Sequence, residues 1–276
     1  MAGKIINSFF KKAKRALTSK YAKFNMSLVQ EKFYKHAANH KKYIHKYKKG
    51  IKVAFTDPLS FLHAIKEIFV DEIYLFETTN ATPFIIDCGG YIGISALFFK
   101  LNYPHSKIIA FEPDSGNFSL AKQNIDSWGF QDIELFKKAV WINDGELEFY
   151  ESNSMASSVH AMNTGGNRVK VSAVRLKDFL DQKVDFLKID IEGAEYEVLL
   201  DIKSRLVNVE KMFVEYHGYY DEMNKLNSIL NILTEENFKW YIKEAENVYS
   251  RPFYDKKMID TYDVQLNIFA FKNGNK

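Results

Sequence analysis

A chain of 276 residues with 46% hydrophobic content is long enough for one large α/β domain plus an extension, and it supports a full core. The net charge of +3 conceals an asymmetry: residues 1–50 carry fourteen Lys or Arg and one acid, Glu31, for +13, while the remainder carries 24 bases and 34 acids, for −10. One cysteine, Cys88, excludes a disulfide scaffold, and the lack of an apolar run of about eighteen residues or more excludes a membrane-spanning helix.

In chain order, Ile5, Ile6, Phe9, Phe10, Ala13 and Leu17 recur at helical spacing with lysines between them. Two readings stand for residues 1–57. One is a basic amphipathic helix on an anionic membrane surface or a polyanionic partner. The other is a helical extension packed on the main domain. Nucleic acid is disfavoured as a partner, because no recognition module is visible. The HKKYIHKYKKG stretch at 40–50 reads as a solvated basic face or a linker, and His40 and His45 lack metal-ligand company. The N-terminus has neither the apolar core nor the cleavage site of a signal peptide. The expected location is therefore cytoplasmic, with peripheral contact to the inner face of the membrane through residues 1–57.

A main domain is expected over 58–276. A helix starts at Pro58 and runs into the low seventies. Strands are predicted near 84–88, 107–112, 132–140, 184–190, 209–216, 237–243 and 263–272. Helices are predicted near 93–102, 114–127, 175–182, 194–204 and 221–234. Strands separated by helices give an α/β fold with a parallel sheet. The last two strands have few helix signals between them, which predicts an antiparallel final pair. Within 144–174 two alternating segments, GELEFY and RVKVSAV, flank a long polar loop of the kind that serves as a lid or binding loop.

The segment FIIDCGGYIG (84–93) is a buried strand, a glycine turn and a helix start, with Asp87 at the strand's end. Ligands bind at that edge of open α/β sheets. The next strand ends in Glu112, and an acid there suits the hydroxyls of a ribose. A dinucleotide fingerprint is excluded, because Tyr91 and Ile94 occupy its second and third glycine positions. The pattern is D-x-G-x-x-x-G, from Asp87, Gly89 and Gly93. A carboxylate at that turn repels a pyrophosphate and suits a cationic, phosphate-free cofactor, namely S-adenosylmethionine. Asp87 would hold its amino-acid end and Glu112 its ribose. Cys88 reads as a packing residue.

Further along, LKIDIEGAE (187–195) places Asp190, Glu192 and Glu195 around Gly193, and VEYHG (214–218) places Glu215 and His217 at another strand tip. Parallel strands would gather Asp87, Glu112, Asp190, Glu192, Glu215 and His217 around one crevice. Methyl transfer to a hydroxyl needs a base, which suggests His217, oriented by Asp190 or Glu215. A capping role for His217 and a site for magnesium or manganese on Asp190, Glu192, Glu215 or His217 remain open beside it.

DCGGYIG, AFEPD, LKIDIEGAE and VEYHG, in this order, together with V-x-x-V-R-L-K-D-F-L at 171–180, resemble the FkbM-type S-adenosylmethionine-dependent methyltransferases over roughly residues 80–272. The resemblance implies a Rossmann-like class I methyltransferase sheet of seven strands, the last antiparallel, with helices on both faces. It implies O-methylation, often of sugars or glycosylated natural products, in surface polysaccharide, lipopolysaccharide or flagellar glycan assembly. Carried over by motif, Asp87, Gly89 and Gly93 line the methionine end of the cofactor and Glu112 its ribose. Asp190, Glu192 and His217 face a small-molecule or glycan acceptor. Methylation of an amino group, and a non-catalytic cofactor- or RNA-binding role, are the alternatives.

Overall fold

The computed structural model describes residues 18–151, 167–255 and 262–272. The chain opens with α1 (Leu28–His36), a hairpin of β1 (Tyr43–Lys46) and β2 (Lys52–Phe55), and α2 (Pro58–Ile65). The alternation then begins with β3 (Phe84–Cys88), α3 (Ile94–Asn102), β4 (Lys107–Phe111), α4 (Ser115–Trp128) and β5 (Ile133–Phe136). Next come β6 (Ala139–Trp141), β7 (Gly145–Glu151) and β8 (Asn167–Arg175). The chain closes with β9 (Phe186–Ile189), α5 (Glu195–Ile202), β10 (Lys211–Gly218), α6 (Met223–Glu235), β11 (Lys239–Glu244) and β12 (Val264–Phe271).

Seven strands form one sheet in the order β11-β12-β10-β9-β3-β4-β5. The pairs among β10, β9, β3, β4 and β5 are parallel, and β12 runs antiparallel to both β10 and β11. This is the Rossmann-like arrangement the sequence implied, with the last strand antiparallel. The strand order turns at β3, which has β4 on one side and β9 on the other. That switch point opens a crevice at the carboxyl ends of the strands.

Alternation along β3 explains the two layers of core. Ile85 faces a cluster with Ile108, Phe186, Phe213, Leu97 and Phe61, while Ile86 faces one with Leu187, Val198, Leu199, Val214 and Ile229. The first cluster also takes in Phe24, Tyr34 and Phe55 from the N-terminal region. Phe55 stacks on Phe61 with centroids 3.8 Å apart, so packing runs straight across the expected boundary at 57–58.

Three expectations are corrected. Residues 43–55 are a β-hairpin, not a helix, linker or solvated face. His45, Val53 and Phe55 are fully buried and Ala54 nearly so, while Lys46 and Lys52 on either side of the turn gave the stretch its solvated look. The helix from Pro58, capped by Asp57 through the Leu59 and Ser60 amides, ends at Ile65 and continues as a π-turn over Lys66–Val70. The strand expected at 132–140 is two strands: β5 joins the main sheet, while β6 joins β8 and β7 in a separate three-stranded sheet. The amphipathic pattern of residues 5–17 and most of the long polar loop, 152–166, lie outside the described residues. Among the described residues no helix is long and apolar enough to cross a membrane.

Candidate active site

The glycine turn after β3 is tied to the tip of β4: the Gly89 and Gly90 amides both donate to the Phe111 carbonyl, at 3.0 and 2.8 Å. Gly89 has φ +92°, and a Cβ there would lie 1.9 Å from the Asp190 carbonyl oxygen, so no other residue fits. Tyr91 takes the left-handed conformation at φ 47°. Its amide donates to Glu112 Oε2 at 2.7 Å, and the Asp114 amide donates to Glu112 Oε1 at 2.9 Å. Glu112 is thereby fixed at the strand tip, 5% exposed. Burial pushes its carboxyl up to about 8, against the pull of the two amides. The Tyr91 phenol is turned toward Ser60 and Asp57 at the start of α2, which keeps it from crowding the turn. Gly93, at φ 85°, begins α3 and lies against Ile125 and Trp128 of α4. A side chain there would meet that helix pair.

Asp87 is displaced from its expected place. It has no exposed surface, accepts from Ser95 Oγ, and sits 3.2 Å from Lys188 Nζ. Lys188 reaches Asp190 Oδ2 at 3.2 Å and donates to the Gly89 carbonyl at 2.7 Å. Burial alone would lower the Lys188 pKa, but Asp190 and Asp87 outweigh it and raise it. Asp87 thus neutralises a buried ammonium beneath the glycine turn and does not rim the crevice. A lysine inside the otherwise apolar strand FLKI, followed at once by Asp190, was the sequence signal for this pair.

Two recesses meet at this turn. The larger, about 600 Å³ including its open mouth, is lined by Phe111, Glu112, Pro113, Val140, Phe149 and Glu192 among others. The smaller, about 350 Å³, is lined by Glu67, Tyr74, Ile94, Ser95 and Lys188. Both also touch Gly89, Tyr91 and Asp190. The cations lining them are Lys138 and Lys188, and Lys188 is already paired, so the electrostatics favour a cationic ligand over a polyanionic one.

At the tips of β9 and β10 stands a second charged cluster. His217, 6% exposed, has Nδ1 at 3.1 Å from Glu195 Oε1. Its Nε2 lies 3.6 Å from Glu215 Oε1 and 3.7 Å from Glu192 Oε2. The fully buried Glu195 also accepts from the Ile191 and Gly193 amides at 3.2 and 3.1 Å. It therefore fixes both the loop and the imidazole; the sequence pointed to Asp190 or Glu215 for that task, and of these Glu215 stands 3.6 Å from Nε2. Glu192 has φ 56°, and its carbonyl accepts from the Tyr262 hydroxyl at 2.6 Å. The Tyr262 ring lies 4.9 Å from that of His217. Burial would lower the His217 pKa, but Glu192, Glu195 and Glu215 more than reverse that and raise it well above the ordinary value. Burial and neighbouring carboxylates raise Glu215 strongly and push Glu192 up to about 8. Asp190, Glu192 and His217 also offer ligand atoms within 4.8 Å of one another, so a magnesium- or manganese-sized ion is geometrically admissible there. A carboxylate-held imidazolium accounts for the same contacts without one.

The chain matches the methyltransferase FkbM domain over residues 87–240. It belongs to that family. Among the relatives it is similar to, Methyltransferase 1 of Beauveria bassiana (strain ARSEF 2860) is 31% identical over 166 residues, covering 51% of this chain and 66% of the relative. The hexuronic acid methyltransferase AglP of Haloferax volcanii is 26% identical over 167 residues, 58% of this chain and 68% of the relative. The 2-O-methyltransferase NoeI of Sinorhizobium fredii is 24% identical over 174 residues, 55% and 71%. The chain spans 66% of the length of the first of these curated relatives, just under two thirds. Residues 18–86, which supply the hairpin, α2 and Glu67, lie outside the FkbM match.

Proposed function

We propose that this methyltransferase moves a methyl group from S-adenosylmethionine to a hydroxyl of a sugar or glycan-type acceptor. The observation that carries the cofactor is Glu112. Its two oxygens are each pinned by one backbone amide, which leaves lone pairs to accept from a ribose diol at the mouth of the larger recess. The apolar walls from Phe111, Pro113, Val140 and Phe149 suit an adenine ring. The acidic lining around the turn, with Lys188 already held by Asp87 and Asp190, suits a sulfonium and opposes a pyrophosphate.

When bound, the cofactor supplies an electrophilic methyl group. The chain's own residues then have three tasks. Gly89 lets the ligand approach the backbone. Glu112 fixes the nucleoside, and with it the direction of attack. His217 takes the hydroxyl proton at Nε2, held in orientation by Glu195 through Nδ1. Only the unprotonated imidazole can accept, so the step waits on the loss of a proton that the carboxylates retain. Two of the relatives support a sugar hydroxyl as acceptor, since one is named for hexuronic acid and one for a 2-O position.

Calorimetry with S-adenosylmethionine tests the cofactor, with saturable binding expected. Glu112→Ala should weaken it by about ten- to a hundredfold, the cost of lost hydrogen bonds to the ribose diol. Binding unchanged in that variant would remove Glu112 from the site. NMR of the methylated product decides the acceptor atom: an O-methyl signal upholds the reading, and an N-methyl signal replaces it.

A further inference from the structure

We propose that Glu67, presented by the π-turn after α2, receives the α-ammonium at the amino-acid end of S-adenosylmethionine, with Asp190 as its companion carboxylate. The inference rests on the cofactor reading above and adds a residue from outside the family-matched segment.

The first argument is displacement. Asp87, the acid at the end of β3, is sealed from the crevice: it has no exposed surface, Ser95 Oγ donates to one carboxylate oxygen and Lys188 Nζ stands 3.2 Å from the other. The counter-charge for an ammonium must come from elsewhere at the turn. The second is continuity. The recess holding Glu112 and the one holding Glu67 share Gly89, Tyr91 and Asp190. A ligand with its ribose at Glu112 therefore crosses the glycine turn into the Glu67 recess.

The third argument is the state of Glu67 itself. It is 9% exposed, and among the described residues no donor hydrogen-bonds its carboxylate. The basic side chain within ion-pair range is His63, whose Nδ1 stands 3.7 Å from Oε2, beyond hydrogen-bonding distance. A buried carboxylate without donors is unfavourable unless a ligand completes it. Burial first, and then Asp190, raises its pKa, a shift that a neighbouring cation would reverse. The fourth is local geometry. In the π-turn the Asp71 amide bonds back to the Lys66 carbonyl at 2.8 Å, and such bulges recur where a helix must re-aim a functional side chain. The same recess also contains Ile94 and Ser95 at the N-terminus of α3, which has no side-chain cap. Its free amides suit the carboxylate of the same amino-acid group.

The test is to titrate wild type and Glu67→Gln with S-adenosylmethionine, S-adenosylhomocysteine and 5′-methylthioadenosine, the last of which lacks the amino-acid end. The expected result is a loss of about ten- to a hundredfold for the first two ligands in the variant, with methylthioadenosine binding unchanged. Undiminished binding of all three would overturn the proposal, as would equal weakening of all three. The ligand-free variant should melt at or above the wild-type temperature, because a buried charge without donors has gone. A large drop in melting temperature would mean that the carboxylate holds the fold, and would also overturn the proposal. Wild type that binds none of the three ligands would instead sink the cofactor reading on which it stands.

Discussion

Two buried cations sit about the same crevice, each held by carboxylates, and they do different work. Lys188 is saturated: Asp87 and Asp190 flank it at 3.2 Å, and the Gly89 carbonyl accepts at 2.7 Å. His217 has one firm contact, Nδ1 to Glu195 at 3.1 Å, and two loose ones at Nε2, 3.6 and 3.7 Å from Glu215 and Glu192. The lysine's pKa, already high, is raised further, so it keeps its proton under any working condition. The histidine's is raised from a value near neutrality, so it remains titratable. The same ingredients thus give a scaffold in one place and a proton store in the other. What separates them is hydrogen-bond saturation and the starting pKa.

The comparison can be broken most directly at His217. His217→Ala should leave S-adenosylmethionine affinity nearly unchanged and cut turnover by about two to four orders of magnitude. Turnover that survives would reduce His217 to a structural imidazolium, the equal of Lys188. The sign of the pH dependence sharpens the point. The active imidazole is unprotonated and its pKa is raised, so turnover should climb with pH through a limb above the ordinary histidine range. A rate independent of pH across that interval would assign the proton to another acceptor.

Lys188→Met comes next in size and should act on the fold. Removing one partner from a buried pair leaves Asp87 and Asp190 without their shared cation, a cost of about 3–5 kcal/mol. Thermal unfolding would show it. A melting temperature unchanged from wild type would mean that Lys188 is not the scaffold element described here.

The smallest effect concerns stability against pH. Glu112 holds its proton up to about 8 in the folded protein but to about 4.5 when unfolded. The folded state therefore binds more protons between those values, and stability falls as pH rises through them. Glu192, Glu215 and His217, all raised, add in the same direction. The ligand-free protein should lose melting temperature from about pH 5 to pH 9, and Glu112→Gln should flatten that slope. A melting temperature rising over that range would contradict the burial of these acids.

Much of this was legible in the chain because it is local. Apolar runs ending in Asp87, Glu112, Asp190 and His217, with helices between them, fixed the strand order's raw material and the side of the sheet where a ligand would sit. The hairpin at 43–55 was not legible, because lysines crowd its turn and β2 does not alternate: Val53, Ala54 and Phe55 are all buried. Glu195 stood in plain view beside Gly193, yet only the approach of β10 shows that it binds His217. Glu67 gave no signal at all: in sequence it is one acid in an amphipathic helix.

By itself the sequence determined the alternation of strands and helices in the main sheet, though not the hairpin at 43–55 or the split at 132–140, and that acids cap the strand tips, since periodicity and glycine placement act over a few residues. Only the tertiary structure decided what each acid is for. Asp87 and Lys188 are 101 positions apart, and whether a carboxylate neutralises a lysine, accepts a hydroxyl or waits unpaired depends on which distant group the fold brings within about 3 Å of it.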